Sequence, residues 1–281
     1  MKSTPIDVFR LMRDSGVRPH AEGRLESNAR LRFNLAQGLA QGRVSFHFQP
    51  VVKARNPRLP AFFEALARLR LPNGDVMPAG AFMPIVEEGP LGRAVDRLAL
   101  ERALAMLTAN PGLRLSINIS PYSMGDADWL AILAAAPRPA CDRLILEITE
   151  ADAIRDADQT IDFMAHVRAK GCAFALDDFG AGATGFRYFR EFRFDMVKID
   201  GGFIQGIHAT RDAQVLVECL AALSRHFEMV TVAEHVDNEA DAAWLRDLGI
   251  ECLQGYLYGR PSAEPVLPAA ADAPDARRAA G

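Results

Sequence analysis

Short apolar runs recur along this chain, and each ends in or carries a residue able to bind a metal or move a proton. They are Phe62-Phe63-Glu64, Leu115-Ser116-Ile117-Asn118, Leu144-Ile145-Leu146-Glu147, Phe174-Ala175-Leu176-Asp177-Asp178, Met196-Val197-Lys198 and Val230-Thr231-Val232-Ala233-Glu234. Runs this short and this rich in Val, Ile, Leu and Phe read as buried parallel strands. Polar groups at the tips of successive parallel strands are how a barrel assembles an active site on one rim. Carboxylates rarely enter a core without a partner, so several converging there call for divalent cations.

Strand patterns cover residues 44–52, 61–70, 114–119, 143–148, 172–177, 194–199, 228–233 and 251–256. Helical patterns cover 28–42, 78–87, 91–107, 121–135, 157–169, 211–226 and 238–247. The alternation predicts an α/β chain folded as a TIM-like (β/α)8 barrel. No GxGxxG follows the first strand, which argues against a dinucleotide-binding open sheet. The turn KARNPRLP between the first two strands is too short for a parallel crossover, so one strand near the N-terminus is expected to be antiparallel. The barrel domain is expected over residues 29–263, behind a leader over 1–28. The Ala- and Pro-rich tail over 264–281 is expected to be disordered.

With 281 residues, 49% of them hydrophobic and 24% charged, the chain suits a globular domain rather than a disordered or fibrous one. A net charge of -4 gives no broad basic field, so no DNA or RNA polymer is expected as a partner. The cysteines Cys141, Cys172, Cys219 and Cys252 are scattered without a CxxC pair. They read as free, mostly buried thiols and not as a zinc site. No window has the length of a membrane span and the start lacks a secretory apolar stretch, so a reducing cytoplasm is the expected location.

Glu64, Asn118, Glu147, Asp177 and Asp178 offer hard oxygen donors, suited to Mg2+ or Mn2+ rather than zinc. In FFEALARL, two-residue alternation turns Phe62, Glu64, Leu66 and Arg68 to one face. Asp177 and Asp178 point in different directions, so one carboxylate can bridge two ions while its neighbour serves one. Lys198 can orient a water or contact a phosphate; it can equally form an ion pair with Asp200 or another acid. Glu234 can accept a proton from water, or serve as a helix-capping or salt-bridged acid. Gln49 and Gln254 carry amides that can read a base edge or serve structure alone. Gly180, Gly182 and Gly185 allow tight backbone turns beside the acids. No His pair has the metal-ligand spacing HxxxH. No Ser lies in a GxSxG elbow and no Cys is placed as a nucleophile, so covalent catalysis has little support.

The segments together resemble the EAL-domain family, bacterial phosphodiesterases of cyclic di-GMP. The resemblance runs from Phe46 to Pro261 through QPVV (49–52), EALARL (64–69), PAGAFMPIVEE (78–88), INIS (117–120), LEITE (146–150), ALDDFGAG (175–182), VKID (197–200), VAEHV (232–236) and QGYLYGRP (254–261). It implies an eight-stranded α/β barrel with one reversed strand. It implies that Glu64, Asn118, Glu147 and Asp177 hold one divalent ion, Mg2+ or Mn2+, and that Asp177 and Asp178 serve a second. It further implies that Lys198 places the attacking water, that Glu234 is the general base, and that Gln49, Leu66, Arg68 and Gln254 contact the substrate. Glu150, with Thr184, would brace the loop after the aspartate pair. Homodimer pairing through helices near the rim and a signalling partner protein also follow from the resemblance.

The family's usual Glu-Gly-Val-Glu segment reads Glu234-His235-Val236-Asp237 here, and Ala183, Thr184 and Gly185 stand where an aromatic and two serines are usual. The expected activity is metal-dependent opening of cyclic di-GMP to linear pGpG. Two other readings stay open on the sequence: a catalytically silent receptor of the same dinucleotide, and an interaction scaffold with a vestigial pocket.

Overall fold

A computed structural model describes residues 24–180 and 191–266 of the chain. The elements run α1 (Arg24–Ala40), β1 (Val44–Lys53), β2 (Asn56–Arg70), β3 (Val76–Pro78), α2 (Ala79–Val86), α3 (Pro90–Ala109), β4 (Leu115–Asn118), α4 (Ala127–Ala135), α5 (Arg138–Cys141) and β5 (Leu144–Thr149). They continue with α6 (Glu150–Arg155), α7 (Ala157–Arg168), β6 (Ala173–Phe179), β7 (Met196–Ile199), α8 (Gly201–Ile204), α9 (Arg211–His226), β8 (Val230–Ala233), α10 (Glu239–Leu248) and β9 (Cys252–Gln254).

The strands close into a barrel in the order β1-β9-β8-β7-β6-β5-β4-β2, with β2 returning to pair with β1. β2, β4, β5, β6, β7, β8 and β9 run parallel from neighbour to neighbour. β1 is antiparallel to both of its neighbours, β2 and β9. The eight-stranded barrel with one reversed strand is therefore present as expected. β3 is an addition: it pairs antiparallel with the end of β2, through Arg68, Leu69 and Arg70. It forms because β2 runs on past its pairing with β4, leaving backbone groups that need partners. The first helix starts at Arg24 rather than Asn28, and α5, α6 and α8 are short helices absent from the sequence pattern.

Strand alternation divides the side chains into two layers. Outward residues such as Leu115, Leu144, Leu146, Ile148, Phe174 and Leu176 pack under the surrounding helices with Leu100, Leu104, Leu107, Trp129 and Phe163. Inward residues Val51, Phe62, Ile145, Ala175, Val232 and Cys252 form a small apolar plug inside the barrel, with Met196 against it. That plug fixes the site, because one pleat further along each strand the next inward residue lies above it.

β1 and the upper half of β2 form a two-stranded ribbon rising past the plug. Its register sets Ser45 opposite Arg68, His47 opposite Leu66 and Gln49 opposite Glu64. The alternate residues Val44, Ala67 and Leu69 are buried against Leu35, Leu39 and Phe82 of α1 and α2. The helices thus back the ribbon, and Leu66 and Arg68 are left half-buried on its other face. No helix among the described residues is long and apolar enough to cross a membrane.

Candidate active site

Counting one pleat on from the plug gives the site residue by residue. Phe62 leads to Glu64, Ile145 to Glu147, Ala175 to Asp177, Met196 to Lys198, Val232 to Glu234 and Cys252 to Gln254. On β1, which runs the other way, Val51 leads back to Gln49. Strands far apart in sequence therefore deliver their polar residues to one level of the barrel.

Lys198 is the hub, its side chain only 1% exposed. Its ammonium lies 2.8 Å from Glu234 Oε1, 3.0 Å from Glu147 Oε2, 3.0 Å from Asp177 Oδ1 and 3.4 Å from Glu64 Oε2. Asp200, a candidate partner on sequence grounds, instead caps α8 by accepting from the Gly202 amide at 2.9 Å. Asn118 donates its amide to Glu64 Oε1 at 3.1 Å, and Gln254 donates to Glu64 Oε2 at 2.6 Å and to Gln49 Oε1 at 3.3 Å. Gln49 donates in turn to the Gly259 carbonyl at 3.3 Å. Arg68 remains on the ribbon, donating to the Ala67 carbonyl at 3.0 Å, and Leu66 stands beside it.

One ammonium cannot neutralise this set. Glu64, Glu147 and Asp177 offer oxygens that all lie within 4.8 Å of one another, and so do Asp177, Asp178 and Glu234. The two triads share Asp177, with Asp178 exposed at the mouth. Glu147 Oε1 is buried without a hydrogen bond, and Asp177 Oδ1 sits beside the ammonium without one either. Burial, then the neighbouring Glu64, hold the Glu147 carboxyl well above the usual carboxylate range. Burial pushes Glu234 up to about 8 against the pull of Lys198, with Asp177 and Glu64 adding to the rise. Burial and Asp177 raise Asp178 as well. Burial acts on Glu64 in the same sense, but Lys198 and the amides of Gln254 and Asn118 together bring it below its ordinary value. Lys198 itself is raised well above the usual lysine range: burial would lower it, and four carboxylates overcome that. An excess of desolvated oxygen donors in two overlapping groups fits a pair of hard divalent cations.

Two turns at the mouth are held by acids. Glu150 Oε2 accepts from the Gly180 amide at 3.0 Å, at the start of the loop that follows the aspartate pair. Gly180 has φ 99°, and a Cβ there would collide with the Phe203 ring. Thr184, the other expected bracing residue, lies outside the described residues, as do Ala183 and Gly185. Asp237 Oδ1 accepts from the Tyr256 amide at 2.9 Å and so holds the turn after Gln254. The sequence marked Asp237 only as a shortened acid; nothing in its spacing pointed to the Tyr256 turn. His235 adopts φ 53°, the left-handed region that suits glycine, and its ring covers Gly201 so closely that a Cβ there would overlap it.

Comparison with known proteins gives a consistent result. The chain is 32% identical over 259 residues to an uncharacterized signaling protein of Caulobacter vibrioides, covering 88% of this chain and 31% of that protein. It is 30% identical over 244 residues to the cyclic di-GMP phosphodiesterase PdeF of Escherichia coli, covering 84% of this chain and 32% of the relative. The chain thus spans about a third of the length of these relatives, 31% and 32%. Among solved structures, the PaMucR phosphodiesterase in complex with c-di-GMP matches with a TM-score of 0.75 at 30% identity, over 83% of this chain and 97% of that one. The Xanthomonas citri FimX EAL domain in complex with c-diGMP matches with a TM-score of 0.77 at 24% identity, over 87% and 99%, a likeness of fold. The family model for the EAL domain matches residues 32–261, and the chain belongs to the EAL domain family.

Proposed function

We propose that this chain hydrolyses cyclic di-GMP to linear pGpG with divalent cations, Mg2+ or Mn2+. The observation that carries the proposal is the pair of oxygen triads that share Asp177 around a single buried ammonium. Glu64, Asn118, Glu147 and Asp177 would hold one ion, and Asp177 with Asp178 the other. Bound cations supply Lewis-acid charge to the phosphodiester and make an attacking water more acidic.

The remaining work falls to the chain's own side chains. Glu234, fixed by Lys198 at 2.8 Å, takes the proton of the attacking water. Lys198 holds Glu147, Asp177 and Glu234 in one arrangement and keeps the water's approach on the Glu234 side. Arg68 presents a guanidinium to a substrate phosphate from the ribbon, and Leu66 gives the apolar surface beside it. Gln49 and Gln254, linked to each other at 3.3 Å, offer amide groups to the ligand. Glu150 orders the start of the loop carrying Gly180. Free thiols at Cys141, Cys172, Cys219 and Cys252 agree with a reducing cytoplasm as the place of action.

Purified protein incubated with cyclic di-GMP and Mg2+ or Mn2+ tests the proposal. Loss of the cyclic substrate with appearance of pGpG is expected, and Glu64→Ala is expected to abolish it. Turnover near the parent rate in that variant would refute the assignment. Binding of the dinucleotide by the parent without turnover would make the chain a receptor instead.

A further inference from the structure

We propose that Asp96 is a positioning residue for the Asn118 corner of the site, acting through the backbone that follows β4. Asp96 lies on α3, outside the barrel, and is only 4% exposed. Its Oδ2 accepts from the Ser120 amide at 3.2 Å and from the Ser123 hydroxyl at 2.6 Å. Both bonds go to the turn that begins at Asn118. On the other side, the Ile119 amide donates to the carbonyl of Glu147 at 3.1 Å. The two residues after Asn118 are therefore held from opposite directions, one by β5 and one by α3. The direction of the Asn118 side chain, which donates to Glu64, follows from where those two anchors place its backbone.

The same face of α3 grips the far end of the segment. Arg97 pairs with Asp126 at 2.9 Å and Arg93 with Asp126 at 3.6 Å. Residues 93, 96 and 97 lie on one side of a helix. Asp126 caps α4 by accepting from the Trp129 amide at 2.9 Å. A surface arginine clamp of this kind is ordinary packing. A fully buried carboxyl is costlier, since burial raises it to about 7. Placing that group where it holds the turn after a proposed ion ligand suits positioning, because outer partners commonly set the direction and affinity of the groups that touch a metal.

The inference rests on the cation reading of the site, and a Mn2+ titration followed by the electron paramagnetic resonance signal of the free ion tests the two separately. The full chain is compared with Asp96→Ala, Asp96→Asn, Asn118→Ala and the Asp96→Ala/Asn118→Ala pair, with thermal unfolding of each in EDTA. Asp96→Ala is expected to weaken Mn2+ binding by about 10- to 100-fold. Asp96→Asn keeps an oxygen acceptor and is expected to stay within about threefold of the parent. The double variant is expected to bind no more weakly than Asn118→Ala, because the effect passes through Asn118. Ser123→Ala removes one of the two bonds and is expected to shift Mn2+ binding about two- to fivefold in the same direction. It serves in place of Asp96→Ala should that variant not fold.

A lowered melting temperature with unchanged Mn2+ affinity in Asp96→Ala and Ser123→Ala would overturn the proposal. So would an Asp96→Ala effect of equal size with and without Asn118. A parent chain that binds no Mn2+ would remove the cation reading, and this inference with it.

Discussion

The two ends of the barrel treat charge in opposite ways. At the end where the parallel strands begin, Arg143, Asp195 and Glu251 meet partners fixed by the fold. Arg143 donates to the carbonyls of Leu107, Asn110, Pro139 and Leu113 at 2.6, 2.7, 2.8 and 2.9 Å. Asp195 accepts from the Phe174 amide at 2.8 Å and pairs with Arg168 at 2.8 Å. Glu251 accepts from the Thr231 amide at 3.0 Å and from the Thr231 hydroxyl. At the end where the strands finish, the buried acids Glu64, Glu147, Asp177 and Glu234 share Lys198 and crowd one another. At the first end these three groups are satisfied once the chain has folded. The second gathers more carboxyl groups than its one ammonium can pair, which is the difference expected between a structural face and a working one.

The strongest way to break that contrast is to remove the hub. Lys198→Met leaves the carboxylates without their counter-charge, and in EDTA it is expected to lower stability by about 3–5 kcal/mol, read from urea unfolding. Added Mn2+ is expected to recover more stability in this variant than in the parent. An unchanged urea midpoint would show that the mouth is not short of positive charge. Next in size, Arg143→Ala is expected to cost about 2 kcal/mol through the loss of charged hydrogen bonds, with Mn2+ affinity unchanged. A change in Mn2+ binding there would join the two ends that the contrast separates.

The pH dependence of stability in EDTA sharpens the contrast further. Asp96 and Glu234 rise from 3.8 and 4.5 to about 7 and about 8 on folding, mainly through burial. A carboxyl with a raised folded pKa keeps its proton in the folded chain after the unfolded chain has released it. Its contribution is whole below the unfolded value and is lost as pH climbs through the folded one. Stability is therefore expected to decline as pH rises toward 8, and Asp96→Asn is expected to make that decline shallower by up to about 1.4 kcal/mol per pH unit. The lowered pKa of Glu64 works in the opposite sense at the acid end. Urea midpoints from pH 5 to 8 provide the check, and a rise with pH would contradict the burial of these protons.

Much of this was legible in the sequence because the barrel obeys a period of two. Phe62 before Glu64, Ile145 before Glu147 and Val232 before Glu234 show the apolar plug and the charged level above it as a repeated pattern. Lys198 was ambiguous because Asp200 is near in sequence, but the strand turns Lys198 inward and Asp200 falls beyond its end, at the cap of α8. β3 left no trace, since Val76–Pro78 becomes a strand only because β2 overruns its neighbour. The short α6 starts from the Thr149 cap, whose side chain accepts from the Asp152 amide, a signal too local to separate from a loop. Asp96 was invisible for another reason. An acid within a helix ordinarily faces water, and its burial depends on which turn packs across that helix.

The reversed strand has a consequence for what the mouth can recognise. In an all-parallel barrel each stretch of wall above the rim is a loop, and a loop must be immobilised when a guest arrives. Here one stretch is woven from β1 and β2 and splinted from behind by α1 and α2. The Arg68 side of the cleft is consequently cast by the fold itself, so a ligand contacting it, as proposed, would be met at little entropic cost. Across the mouth the wall is built differently: β5 and β7 give way within a residue or two to the short helices α6 and α8.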